Sequence, residues 1–209
     1  MKKGLTAVLF CLCLFILNAT NSTAQETNEM TEENLELATL GAGCFWCVEA
    51  IFEELNGVSS VVSGYAGGKL ENPSYEDVLT GKTGHAEVCQ ISYDPKILTF
   101  SDLLMVFWQT HDPTTLNRQG NDIGTQYRSV IFCHTDEQKM LAEEYKRQVN
   151  LTGTWNKPLT TEIVPFTNFY KAEKFHQEYF DLNPNAPYCK YIIQPKLDKF
   201  KEVFKDKLK

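Results

Sequence analysis

Two glycines around an alanine, followed at once by a cysteine, separate an extended apolar run from an amphipathic one. Residues 35–40 carry a strand pattern, and from Cys44 onward Val48, Ile51, Phe52 and Leu55 recur at helical spacing until Asn56-Gly57 stops them. A strand entering a helix through Gly41-Ala42-Gly43 turns tightly and leaves Cys44 at the helix start. Unpaired backbone N–H groups and the helix dipole favour an anion there, which lowers a thiol's pKa and makes it nucleophilic. A reactive Cys44 is therefore expected, with a buried structural cysteine as the alternative.

The rest of the chain mixes both element types. Strands are expected over residues 58–65, 86–93, 127–134 and 160–164, and helices over 74–79, 101–109, 136–149 and 196–208. No repeat of 20–50 residues and no Pro-rich or Gly/Ser-rich linker divides them, so residues 35–209 read as one domain. The run Gly64-Tyr65-Ala66-Gly67-Gly68 reads as a loop, and it lacks both the Lys-Ser/Thr ending of a nucleotide loop and the spacing of a dinucleotide fingerprint.

Ahead of this domain, Lys2 and Lys3 precede an apolar run from Leu5 to Leu17, with Ser22 and Ala24 placed as a cleavage site. That is the pattern of a secretory signal peptide over residues 1–24, shorter in its apolar part than the ~20 residues of a membrane-spanning helix. Residues 25–34 suit a flexible tether. Export to a periplasm or the medium is expected. Cleavage leaves Cys44, Cys47, Cys89, Cys133 and Cys189, an odd set that implies a free or cycling thiol instead of a disulfide scaffold. The net charge of −7 argues against nucleic acid as a partner.

Cys47 stands three residues after Cys44, giving Cys-Phe-Trp-Cys. In a helix interior such residues hold their Cβ atoms about 5–6 Å apart, too far for an unstrained disulfide, though a first turn can tighten enough. A cycling dithiol and a packed Cys47 are both open. Phe45 and Trp46, beside the thiol, are expected partly exposed as an apolar slot. No second Cys pair or His pair follows, so no metal site is expected, and His85, His111, His134 and His176 are assigned no role.

Further motifs stand in order along the chain: Gly43-Cys44-Phe45-Trp46, Gly64-Tyr65-Ala66-Gly67-Gly68, Asn72-Pro73-Ser74-Tyr75, Gly84-His85-Ala86-Glu87-Val88, His111-Asp112-Pro113-Thr114-Thr115, and Asp122 through Ser129. With these the chain resembles the class A peptide methionine sulfoxide reductases, which act on the S-epimer of methionine sulfoxide. The resemblance implies an α+β fold built on a two-layer plait with a ferredoxin-like core and a mixed sheet. It implies Cys44 as nucleophile, Glu87 as acid, Tyr75 and Tyr127 as hydroxyl donors to the sulfoxide oxygen, Phe45 and Trp46 as the methyl pocket, and Asp122 as a polar substrate-placing residue. Without it, Glu87 on its strand reads as solvent-facing, and the two tyrosines as surface or core aromatics.

The resemblance also implies a sulfenic acid on Cys44 that a second thiol converts to a disulfide. Cys189 sits where many members carry that resolving cysteine and is the favoured candidate, whereas Cys47 replaces the commoner glycine after Phe-Trp and is the nearer alternative. Cys89 and Cys133, in apolar strand patterns, read as buried and inert. The implied enzyme is a monomer without bound cofactor, recycled by an external thioredoxin-like donor. Two rivals remain at this level: a general thiol-disulfide oxidoreductase using Cys44 and Cys47, and a non-catalytic binding domain with structural cysteines.

Overall fold

The computed structural model describes residues 34–209; the expected signal peptide and all but the last residue of the expected tether lie outside the described residues. In chain order the elements are β1 (Glu36–Ala42), α1 (Phe45–Phe52), β2 (Val58–Ala66), α2 (Tyr75–Leu79), β3 (Ala86–Tyr93), α3 (Phe100–Thr110), β4 (Arg118–Gln119), β5 (Asp122–Ile123), β6 (Ser129–Cys133), α4 (Asp136–Thr152), β7 (Glu162–Pro165), β8 (Phe169–Lys171), α5 (Tyr179–Leu182) and α6 (Gln194–Val203).

Strands β1, β2, β3 and β6 lie in the order β6-β1-β3-β2, with β1 and β2 both antiparallel to β3 between them. With α1 and α3 as the crossovers this is the split βαβ arrangement of a ferredoxin-like plait. Strand β7 extends one edge in parallel with β6, and β8 extends the other antiparallel to β2, so the sheet is mixed. The expected α+β plait is the fold observed.

Alternation along the strands decides where the core sits. Leu40 of β1, Cys89, Ile91 and Tyr93 of β3, Val61 and Tyr65 of β2 and Ile131 of β6 join one cluster with Val48, Ile51 and Phe52 of α1 and Leu103, Leu104 and Phe107 of α3. The opposite face carries a smaller cluster of Ala66, Ala86, Val88, Val130 and Phe132, covered by Phe166 and Phe169. Capping boxes fix two helix starts, Ser74 with Asp77 for α2 and Thr99 with Asp102 for α3. Helix α1 has no side-chain cap of this kind, because its N-cap is Cys44.

Three sequence expectations need correction, and one strand was not expected. Gly64, Tyr65 and Ala66 belong to β2, so the glycine loop is shorter than its motif. Tyr127 closes a 3-10 turn, Thr125–Tyr127, ahead of β6 and is not part of the strand. The last helix is broken: a π-helical turn, Cys189–Ile193, leads into α6, and a 3-10 turn, Lys205–Lys207, follows it. Pro195 has no N–H to close an ordinary turn, which accounts for the widened backbone before it. Strand β8 is three residues long and too short to leave a period in the sequence.

Candidate active site

The turn out of β1 requires glycine at position 43, where φ is +96° and an added Cβ would lie 2.6 Å from Cβ of Gln119. Cys44 follows as N-cap with φ −57° and ψ 125°, outside the helix proper. The first N–H of α1, that of Phe45, donates to Oε2 of Glu87 at 3.1 Å. Glu87 pairs with Tyr65 across β2 and β3 and shares a strand face with Cys89, Ile91 and Tyr93, so it points under the helix and is 1% exposed. The solvent-facing alternative for Glu87 is thereby overturned. Burial pushes its carboxyl up to about 8; the Phe45 N–H opposes the shift, and Asp122 and Cys47 add to it. At neutral pH Glu87 therefore holds a proton.

The two thiols of Cys-Phe-Trp-Cys divide their charge unequally. Burial, the neighbouring Cys47 and the Glu87 carboxyl push the Cys44 thiol well above the usual range, so desolvation outweighs the helix start that alone would lower it. Cys47 goes the other way, down to about 7: the Cys44 thiol donates to it, and Lys196 and Tyr188 help, against the effect of burial and Asp122. Nζ of Lys196 lies 4.0 Å from Cys47 Sγ and the Tyr188 hydroxyl 3.8 Å. The pair can thus carry one negative charge, held more readily on Cys47. The wide Cβ spacing of a helix interior does not apply, since Cys44 is outside the helix. Cys189 is fully buried and packs with Cys47, Ala50 and Ile193 in a cluster that does not include Cys44. All five described cysteines are free thiols.

Aromatic rings wall this site. Phe45 is 1% exposed, enclosed by Tyr65 at 5.9 Å and His176 at 5.0 Å between ring centroids, so the expectation of a partly exposed ring holds only for the half-buried Trp46. Trp46 stacks on Tyr179 at 3.6 Å and 7°, with the Tyr188 ring edge-on at 5.7 Å. Tyr75 and Tyr127 are half-buried and feel each other electrostatically. Burial and the nearby Glu87 raise both phenols, Tyr75 to about 12, so both remain neutral donors. Tyr127 feels Glu87, Tyr75, Cys44 and Asp122 together, which places the expected site residues around one centre.

Four neighbours of the site were not singled out in the sequence. The Tyr188 hydroxyl donates to Oδ2 of Asp122 at 2.7 Å, tying the C-terminal segment to β5. Glu173 accepts from the Tyr75 N–H at 2.8 Å and from the Tyr65 hydroxyl at 2.9 Å, fixing the start of α2. His176, under Phe45 and Tyr75, is 1% exposed and held toward its neutral form by burial. Lys196 reaches in from α6. Only Tyr188 had a signal, its place beside Cys189. His111 is structural: its ring bonds the Phe107 carbonyl and the Ser129 hydroxyl, both at 2.7 Å. Among the described residues no three His, Cys, Asp or Glu side chains are grouped to hold a metal.

A family model described as peptide methionine sulfoxide reductase matches residues 36–208. The chain belongs to this family. Among curated peptide methionine sulfoxide reductases, the MsrA of Sulfolobus acidocaldarius is 52% identical over 177 residues, covering 83% of this chain and 97% of that protein. The MsrA of Trichodesmium erythraeum is 51% identical, covering 83% and 98%. Among solved structures, reduced Mxr1 from Saccharomyces cerevisiae superposes with a TM-score of 0.70 at 36% identity, covering 78% of this chain and 94% of that one. Methionine sulfoxide reductase A of Corynebacterium diphtheriae gives 0.66 at 37% identity, covering 74% and 79%. Mxr1 has also been solved in complex with Trx2, and that structure is similar at 30% identity with a TM-score of 0.50, covering 74% and 91%.

Proposed function

We propose that this peptide methionine sulfoxide reductase acts on the S-epimer, in proteins and as the free amino acid, with Cys44 as nucleophile and Glu87 as acid. One observation carries the assignment: a buried, protonated carboxyl hydrogen-bonded to the first N–H of the helix that Cys44 caps. The sulfoxide methyl sits against Phe45 and Trp46, and its oxygen faces Glu87, Tyr75 and Tyr127, with Asp122 placing the substrate. Cys44 sulfur, its proton passed to the adjacent Cys47 sulfur, attacks the sulfoxide sulfur while Glu87 protonates the oxygen. The sulfoxide S–O bond breaks, methionine leaves as the thioether, and the oxygen passes with its proton to Cys44 sulfur as sulfenic acid. Cys47 then attacks Cys44 Sγ, an S–S bond replaces the S–O bond, and water departs.

Cys189, packed on Cys47, supports a second exchange that moves the disulfide to Cys47–Cys189 and frees Cys44. Two electrons from a thioredoxin-like dithiol restore the thiols; a yeast relative solved with Trx2 supports that donor class. The acidic charge and the N-terminal pattern of Lys2, Lys3 and the apolar run support a monomer without nucleic-acid partner, acting after export. The test is dithiothreitol-driven turnover of separated S and R sulfoxide peptides by the chain and by Cys44→Ser. Loss of the S-epimer alone, abolished in Cys44→Ser, is expected. Turnover of neither epimer by folded protein overturns the assignment.

A further inference from the structure

The charges around the resolving thiol come from four separated parts of the chain. Cys47 Sγ, near the start of α1, faces the Cys44 thiol on its own turn, the Tyr188 hydroxyl, the Asp122 carboxylate of β5 beyond it, Cys189 on the π turn, and the ammonium of Lys196 on α6, and it also feels the Glu87 carboxyl of β3. Of these only Lys196 brings positive charge. Asp122 opposes a thiolate at Cys47, and its approach is occupied by the hydrogen bond from Tyr188 at 2.7 Å. Lys196 is half-buried, makes no salt bridge among the described residues, and has its Nζ 4.0 Å from the sulfur. A cation beside a thiol in a water-poor setting stabilises its thiolate.

We propose that Lys196 is the charge partner that holds Cys47 as thiolate and so sets the rate of the step joining Cys47 to Cys44. This rests on Cys47 being the thiol that resolves the sulfenic acid. In that step Cys47 releases to solvent the proton it took from Cys44, its thiolate attacks Cys44 Sγ, the S–O bond breaks, and hydroxide leaves as water with one proton from solvent. Cys44 sulfur is reduced and Cys47 sulfur oxidised, with no other reactant. Lys196 itself transfers no proton; its ammonium lowers the free energy of the attacking anion. The downward shift of the Cys47 thiol agrees with this geometry.

The experiment mixes the reduced full chain with one equivalent of S-epimer methionine sulfoxide, without donor, and follows the Cys44–Cys47 disulfide by peptide mapping from pH 6 to 9.5. Wild type, Lys196→Met, Lys196→Arg and Cys47→Ser are compared, and iodoacetamide labelling of Cys47 in the reduced proteins gives its titration directly. Wild type should titrate with a midpoint near 7. Lys196→Met should raise that midpoint by about one unit, slowing the disulfide about fivefold at pH 7 and hardly at pH 9, and Lys196→Arg should restore it. An unmoved midpoint in Lys196→Met overturns the role of the lysine, as does a loss equal at pH 7 and pH 9, which marks a merely structural effect. A Cys44–Cys189 disulfide formed in Cys47→Ser at the wild-type rate instead overturns Cys47 as the resolving thiol, whatever the labelling shows.

Discussion

The backbone N–H of Phe45 donates to Oε2 of Glu87 at 3.1 Å, so the helix start beside Cys44 and the buried carboxyl are one hydrogen-bonded unit. Glu87→Gln keeps an oxygen to accept that bond and removes only the proton that the sulfoxide oxygen needs. Turnover of an S-sulfoxide peptide should fall by about 10² or more, the usual worth of a general acid, with the fold intact by circular dichroism. In the wild type the acid form is lost as pH rises through about 8. Initial rates from pH 6 to 9.5 should therefore decline on the alkaline side, and Glu87→Gln should lack that limb. An unchanged rate in the variant would remove Glu87 from the chemistry.

Much of the plait was legible because its signals are local. Val48, Ile51 and Phe52 announce α1, and the bounds of β3 agree with the sequence pattern to the residue. Glu87 was not legible from pattern alone, since residues 86–89 are buried on both faces and the period-2 contrast that reveals a one-sided strand is erased. The π turn hides likewise, because Tyr188 and Lys196 meet Cys47 only across 141 and 149 residues of chain. The helix-start rule was right about where Cys44 lies and wrong about its resting pKa. Short-range geometry was readable, whereas the desolvation that outweighs it depends on what packs above the thiol.

Tyr188 joins Asp122 to the neighbourhood of Cys47 through one hydroxyl. Tyr188→Phe keeps the edge contact with Trp46 and deletes the oxygen, so the Asp122 carboxylate loses a donor next to the thiol pair. Cys47 should titrate at higher pH, and the disulfide formed after one turnover at pH 7 should appear several-fold more slowly. Stability should change by about 1 kcal/mol, the usual size for one hydrogen bond. Rapid-quench peptide mapping and urea unfolding together check both parts; a stability loss without any kinetic change would make Tyr188 a packing residue only.

Gly43→Ala tests the turn that delivers Cys44. At φ +96° a side chain carries backbone strain of about 1–3 kcal/mol, and the added Cβ also strikes Gln119, whose amide bonds Asp112 through both its oxygen and its nitrogen. The variant should lose at least that much stability in urea denaturation and most of its turnover. Gln119→Gly, which removes the Cβ and Cγ that the new methyl strikes, should make the loss from Gly43→Ala smaller in its background than in wild type. No relief would assign the whole cost to φ.

Glu49 lies on α1, 2% exposed, with Oε1 lacking a hydrogen-bond partner. Burial pushes its carboxyl up to about 7 and likewise that of Glu53, where the neighbouring Glu49 adds to the effect. In the unfolded chain a glutamate titrates near 4.3, so between there and about 7 the native state binds more protons than the unfolded one. Stability from this group is fully present below about pH 4, declines as pH rises, and is lost once pH has passed 7. Glu49→Gln has no such titration. Relative to wild type, the variant should gain on the order of 1–3 kcal/mol in unfolding free energy between pH 4 and pH 8.5, whatever its absolute stability at either end. Urea titrations of both proteins at the two pH values measure that difference of differences. A value near zero would mean that Glu49 keeps its unfolded pKa in the native state, and that the unpartnered oxygen is hydrated.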